Sequence, residues 1–234
     1  MALPKLNTSP NYSTKVPSTG ETVTYRPYLV KEEKVLMIAF ETGDQKQALG
    51  AIVDTLQACV TEDINMKELS TFDIEFLFTQ VRSKSVGEVA TILIPCSGCG
   101  HKNENEIVLS EIHVDVPEVS NIIELTPSIS VEMKYPTYAT VIGMDLEGND
   151  TELGFEMLSQ SVAAILTEDE RIDTRDVSKQ ELMDFIEQMT TDQFKKVSEF
   201  LQDMPSLNKD VEFECEKCNH PNSTTLKGIS DFLS

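Results

Sequence analysis

The chain has 234 residues, 40% hydrophobic and 25% charged, which is enough to bury a core and close to the composition of ordinary globular domains. Its 40 acidic side chains outnumber 19 basic ones, and the formal net charge of −21 repels a phosphate backbone, which argues against nucleic acid as a partner. No run approaches the roughly 18 consecutive apolar residues of a membrane helix, and residues 1–20 lack the charged start and apolar run of a secretion signal, so a soluble, unsecreted chain with no membrane partner is expected.

Residues 11–16 and 21–26 alternate in side-chain character around Pro17-Ser18-Thr19-Gly20, which predicts a β-hairpin. After Pro27 the period changes. Val35, Leu36, Ile38 and Ala39 suit an amphipathic helix over 31–42, closed by Gly43. Ala48, Ile52, Leu56 and Cys59 mark a second helix over 45–60. Ser70, three residues before Asp73, reads as a cap for a third, whose face is Ile74, Leu77, Phe78 and Val81 and which ends near Lys84.

The period then becomes that of strands, 89–94 before Pro95 and 104–109 beyond it, with Cys96-Ser97-Gly98-Cys99-Gly100 on the turn between them. His113 lies in a strand-like stretch, 112–116, without a visible catalytic neighbour. Ile129, Val131 and Met133 alternate with polar residues in a half-buried strand before Pro136. Acids dominate 145–176, where Leu158, Val162, Ile165 and Leu166 nevertheless predict a helix. Ser178 with Glu181 and Thr190 with Gln193 have capping-box spacing. They start two helices with faces Leu182, Phe185, Ile186, Met189 and Phe194, Val197, Leu201, Met204. Pro205 stops the second. A strand at 211–213 runs into Cys215-Glu216-Lys217-Cys218, followed by a strand at 222–226, Gly228, and the apolar Ile229, Phe232 and Leu233.

These elements predict an α+β fold in which small β-hairpins and zinc-ribbon-like knuckles combine with a helical bundle. The expected divisions are an N-terminal hairpin at 1–30, a helical segment at 31–87, strands with the first knuckle at 88–140, an acidic helical module at 141–206, and a second knuckle at 207–234 that packs on 88–110. One local echo stands out: strand, Cys-x-x-Cys, histidine, asparagine, strand, first around residue 98 and again around residue 217.

Without a secretion signal the thiols stay reduced, so paired cysteines point to metal more than to disulfides. Each knuckle presents two soft ligands, and tetrahedral zinc requires four, so Cys96, Cys99, Cys215 and Cys218 are expected to share one structural zinc ion. The site is split by residues 100–214, and a loop of that length adds closure entropy only logarithmically. A thioredoxin-like redox pair is the alternative, although such pairs sit at helix N-termini and these follow strands. His101 and His220 could substitute for a thiol, but with four thiols present they read as turn residues. Cys59 reads as a small buried hydrophobe. The chain has no phosphate loop, His-Glu-x-x-His or Gly-x-Ser-x-Gly, and four thiolates leave no open position on zinc, so no enzyme is expected.

Three strings carry a family resemblance: Arg26-Pro27-Tyr28-Leu29-Val30-Lys31-Glu32-Glu33-Lys34, Arg82-Ser83-Lys84-Ser85-Val86-Gly87-Glu88, and Phe213-Glu214-Cys215-Glu216-Lys217-Cys218 followed by Leu226, Gly228 and Phe232. They resemble the corresponding stretches of the T4-like bacteriophage baseplate hub family. The resemblance implies a hub subunit or hub assembly chaperone, with other phage baseplate hub proteins as partners. It would work in the host cytoplasm during assembly, or in the virion tail baseplate; oligomeric state is left open. The alternative, from the knuckles alone, is a zinc-ribbon regulator that binds nucleic acid or polymerase, and scattered Lys and Arg speak against it.

Overall fold

The computed structural model describes residues 10–117, 120–144 and 149–233. Residues 1–9 of the expected N-terminal hairpin segment, residues 145–148 of the acidic stretch, and the side chains of Ile229 and Leu233 lie outside what is described. In chain order the elements are β1 (Tyr12–Lys15), β2 (Thr22–Tyr25), α1 (Val30–Glu41), α2 (Gln45–Cys59), α3 (Thr71–Ser85), β3 (Val89–Pro95), β4 (Lys102–Val108), β5 (His113–Val114), β6 (Ile122–Thr126), β7 (Ile129–Met133), α4 (Tyr138–Gly143), α5 (Asp150–Ser161), β8 (Val162–Thr167), β9 (Arg171–Asp173), α6 (Lys179–Glu187), α7 (Thr191–Gln202), β10 (Leu207–Glu214), β11 (Pro221–Lys227) and α8 (Gly228–Leu233). The fold is α+β, with several small antiparallel sheets among helices. It divides into two units: Met1–Asp115 with Ser206–Ser234, and Val116–Pro205.

In the first unit β1 and β2 pair antiparallel from Tyr12↔Tyr25 to Lys15↔Thr22. Gly20 closes the turn at φ 71, a left-handed conformation that residues with a Cβ rarely adopt. The hairpin is tied to the end of α2, where Arg26 N–H donates to the Cys59 carbonyl at 3.0 Å and Thr61 N–H donates to that of Thr24 at 2.9 Å. It is tied to α3 through one buried carboxylate. Asp73 accepts from Ser18 N at 2.9 Å, Ser18 Oγ at 2.6 Å and Ser70 N at 3.2 Å, and also from the Ser70 hydroxyl. The residue expected only to cap a helix therefore also anchors the hairpin turn. Phe72, Ile74, Leu77, Phe78 and Val81 of α3 are each buried to 2% exposure or less, and burial of side chains of this size stabilises by about 1.5–3 kcal/mol apiece.

α1 departs from its sequence reading on one face. Leu36 and Ala39 are buried, but Val35 and Ile38 are 49% and 54% exposed. The third residue on the buried side is Glu32, which reaches back to accept from Leu29 N at 2.8 Å and from Arg26 Nη2 at 2.9 Å. Burial opposes its ionisation, but the Arg26 guanidinium, the Leu29 amide and Lys31 outweigh it and hold the carboxyl below its ordinary value.

The rest of this unit consists of the two hairpins that carry the cysteine pairs. β3 and β4 pair from Val89↔Val108 to Pro95↔Lys102, while β10 pairs with β11 from Asn208↔Lys227 to Glu214↔Pro221 and, through Leu207 and Asn208, with β5. Ala90, Ile92 and Ile94 from β3, Ile107 from β4, Leu207 and Val211 from β10, Leu226 from β11 and Phe232 from α8 share one buried cluster, against which Phe76 of α3 packs. The strand expected from the apolar run at 89–94 is present, with alternating burial, and its even-numbered residues face this core.

The second unit is a four-stranded antiparallel sheet in the order β6-β7-β8-β9. Val131, Met133, Leu158, Val162, Leu182, Ile186 and Val197 form its buried centre. The capping boxes expected at Ser178–Glu181 and Thr190–Gln193 are both present. The helix expected to run through Leu158, Val162, Ile165 and Leu166 is instead a helix and a strand. α5 ends at Ser161, whose hydroxyl bonds the Met157 carbonyl, and residues 162–167 pair on one side with β7 and on the other with β9. The strand reads in sequence as a continuous apolar run, Val162-Ala163-Ala164-Ile165-Leu166, which periodicity alone does not distinguish from a helix.

Two tests follow from the first unit. Asp73→Ala removes the shared anchor of hairpin and helix and leaves buried donors unpaired, so it is expected to lower stability by about 3 kcal/mol in urea unfolding, more than an isolated cap would. Because Glu32 has a lowered folded-state pKa, its contribution is complete above about pH 5 and is lost as pH falls through that lowered value. Glu32→Gln should therefore lower the urea midpoint at pH 7 and flatten its decline at acid pH.

Candidate metal centre

Each cysteine pair occupies a strand-to-strand turn built by the same backbone bonds. In the first, Cys96 N donates to the His101 carbonyl at 2.8 Å and Gly100 N to the Cys96 carbonyl at 2.9 Å; in the second, Cys215 N donates to His220 at 3.0 Å and Asn219 N to Cys215 at 2.8 Å. The fifth residue of each turn is left-handed, Gly100 at φ 71 and Asn219 at φ 55, and glycine and asparagine are the residues that accept this conformation most readily. The segments 96–103 and 215–222 thus match position by position, sharing both cysteines, the histidine and the terminal asparagine.

The two turns bring all four sulfurs within 4.8 Å of one another. Cys96 Sγ lies 3.8 Å from Cys218 Sγ, and Cys99 Sγ lies 3.7 Å from Cys215 Sγ. A tetrahedron with metal–sulfur bonds of about 2.3 Å has edges of about 3.8 Å, so the cluster has the size of a four-thiolate site for one ion. Cys96 and Cys215 are buried, while Cys99 and Cys218 are exposed. All four cysteines singled out from the sequence come together here.

Hydrogen bonds sort the sulfurs. Burial drives the Cys96 thiol upward, but the Cys99 and Gly98 amides and the Asn222 side chain outweigh it and bring it down to about 6. Cys215 is lowered against its burial by the amides of Cys218 and Lys217. The His220 amide lowers Cys218, yet the adjoining Cys99 sulfur, burial, and Cys215 and Cys96 push it up to about 12. A bound cation would replace such protons, the usual coupling between thiolate ligation and proton release.

The histidines take part through the backbone. Their carbonyls receive the cysteine amides, and the His220 ring packs across Gly98, where an added Cβ would lie 3.1 Å from His220 Cγ. His113 is exposed on β5, with Nδ1 3.2 Å from the Glu111 carbonyl. Cys59 lies apart in α2, 2% exposed, and burial raises its thiol to about 11. Asn103 and Asn222 were not recognised from sequence as contributors. Asn222 Oδ1 accepts from Ser97 N and Asn103 Oδ1 from Glu216 N, each at 2.9 Å. Their signal was the asparagine in the echoed motif, four residues after each second cysteine.

No curated protein and no solved structure matches the chain. The model of a family described as T4 bacteriophage base plate protein matches residues 9–234, which is almost its full length. With its paired knuckles and mixed helical and sheet units, the chain belongs to the T4 bacteriophage base plate protein family.

Proposed function

We propose that this protein is a non-enzymatic hub subunit or hub assembly chaperone of the phage baseplate, acting through contacts with other hub proteins and stabilised by one structural zinc ion on Cys96, Cys99, Cys215 and Cys218. The observation that carries the reading is the family match across residues 9–234. Membership in a baseplate family implies contacts with other phage proteins, and the surface supports such a role. Val30, Met37 and Ile38 of α1 are 78%, 58% and 54% exposed, an apolar display that a protein working through association can bury. The hub assignment rests on the three sequence strings given above.

Zinc is the metal favoured by four thiolates at tetrahedral spacing. With four protein ligands the ion would have no position for water, so its work is to hold the two hairpins, whose sequence positions lie on either side of the inserted second unit. Metal analysis of the purified protein is expected to give about one zinc per chain; none, or two, would overturn the shared site. Cys99→Ser and Cys218→Ser should each release the ion, and the double variant should be no less stable than either single one by more than about 0.5 kcal/mol, because the second substitution finds the site already lost. Tagged protein recovered from infected cells should bring down hub proteins. Recovery of polymerase or nucleic acid in their place would favour the zinc-ribbon regulator.

A further inference from the structure

We propose that Asn103 and Asn222 are reciprocal positioning residues of the metal centre, each locking the opposite knuckle to its own, so that the four sulfurs are held at ligating distance before an ion binds. This rests on the reading of the four cysteines as a metal site. The geometry is crossed. Asn222, on the second hairpin, accepts the amide of Ser97, the residue after the first cysteine of the first knuckle, at 2.9 Å; Asn103, on the first hairpin, accepts the amide of Glu216, the residue after the first cysteine of the second, also at 2.9 Å.

Each side-chain NH2 then turns back onto its own knuckle. Asn103 Nδ2 donates to the His101 carbonyl at 2.9 Å and Asn222 Nδ2 to that of His220 at 2.8 Å. Those two carbonyls also receive the amides of Cys96 and Cys215, so each asparagine joins the cysteine-bearing turn of one hairpin to that of the other. An amide side chain is needed because the role requires an acceptor and a donor on one planar group. Aspartate supplies only the acceptor, and leucine of similar size supplies neither.

The pair is symmetric in role and unequal in surroundings. Asn103 is 2% exposed and Asn222 is partly exposed. Asn222 alone has a sulfur in reach, with Nδ2 3.7 Å from Cys96 Sγ, where an N–H donor stabilises a thiolate. The two Cys-x-x-Cys pairs thus do not meet merely because a metal joins them: the hairpins share a buried core, and two side-chain bridges set their register at the sulfurs.

The test uses the full-length protein loaded with cobalt(II) or zinc, and measures affinity by competition with a chelator, release rate, and the cobalt absorption spectrum. Asn103→Ala and Asn222→Ala are expected to keep all four thiolates, as the cobalt charge-transfer bands would report, yet bind metal about 10- to 100-fold more weakly and release it faster. Asn222→Asp keeps the acceptor for Ser97 and removes the donor to Cys96. It also removes the donor to the His220 carbonyl and sets a negative charge beside the thiolates, so it should bind metal no more tightly than Asn222→Ala while shifting the cobalt bands.

Thr225→Ala on the same hairpin removes a bond to Asp210 that does not touch the knuckles, and should leave affinity unchanged. If buried Asn103 tolerates no replacement, the partly exposed Asn222 variants decide. Affinity and release rate unchanged in the asparagine variants, with metal still bound by the unsubstituted chain, would overturn this proposal alone. No metal bound by the unsubstituted chain would overturn it together with the reading on which it rests.

Discussion

Four sulfurs lie within 4.8 Å of one another although residues 100–214 separate the two cysteine pairs along the chain, and that convergence is the constraint the first unit has to meet. A single Cys-x-x-Cys turn can offer a cation two ligands and no more. The second pair must come from elsewhere in the chain, and a hairpin is an economical carrier, since its tight turn projects both sulfurs from the end of a paired, twisted ribbon. The burden then shifts from the turns to whatever sets one hairpin against the other. In this protein that is the apolar cluster of Ile92, Ile94, Ile107, Val211 and Leu226, with Phe232 closing it.

The long insertion is consistent with this arrangement. Loop-closure entropy rises only with the logarithm of length, so placing Val116–Pro205 between the knuckles costs little more than a short connection would. The inserted unit has a sheet and a buried centre of its own, and therefore does not draw on the first unit's core to fold its strands. The chain leaves the first unit after β5 and returns in β10, and those two strands pair through His113↔Asn208 and Val114↔Leu207. Exit and re-entry are thus neighbours within one sheet.

How much of this was legible in the sequence depended on whether a signal was local. The capping residues Ser70, Ser178 and Thr190 announced their helices because the bonds they make span only three residues. The cysteines were legible because thiol chemistry narrows what such pairs can do. Val162–Thr167 reads as helix because its apolar residues run on without alternation from Leu158, and β6 shows no clear alternation at all. The exposure of Val35 and Ile38 was hidden because a helical period shows that apolar residues recur, but not which side meets the rest of the protein. Asp73 was read as a cap and Asn103 as part of an echo; their second partners, Ser18 and Glu216, lie 55 and 113 residues away, beyond the reach of any local pattern.

The repeated knuckle also explains why some positions vary between its two copies while others do not. Gly98 and Lys217 occupy equivalent places; the His220 ring lies against Gly98, and a Cβ there would come within 3.1 Å of it, so the ring would have to shift. Gly100 and Asn219 differ in type but share the left-handed backbone that the turn requires. Cysteine, histidine and asparagine recur with different reasons: sulfur chemistry for the first, and a bridging amide for the last. The histidine carbonyl, which any residue could supply, receives the cysteine amide in each turn, and the His220 ring also packs against Gly98 of the other knuckle. Of the groups that the two turns share, the cysteines and the asparagines are those that meet across the junction.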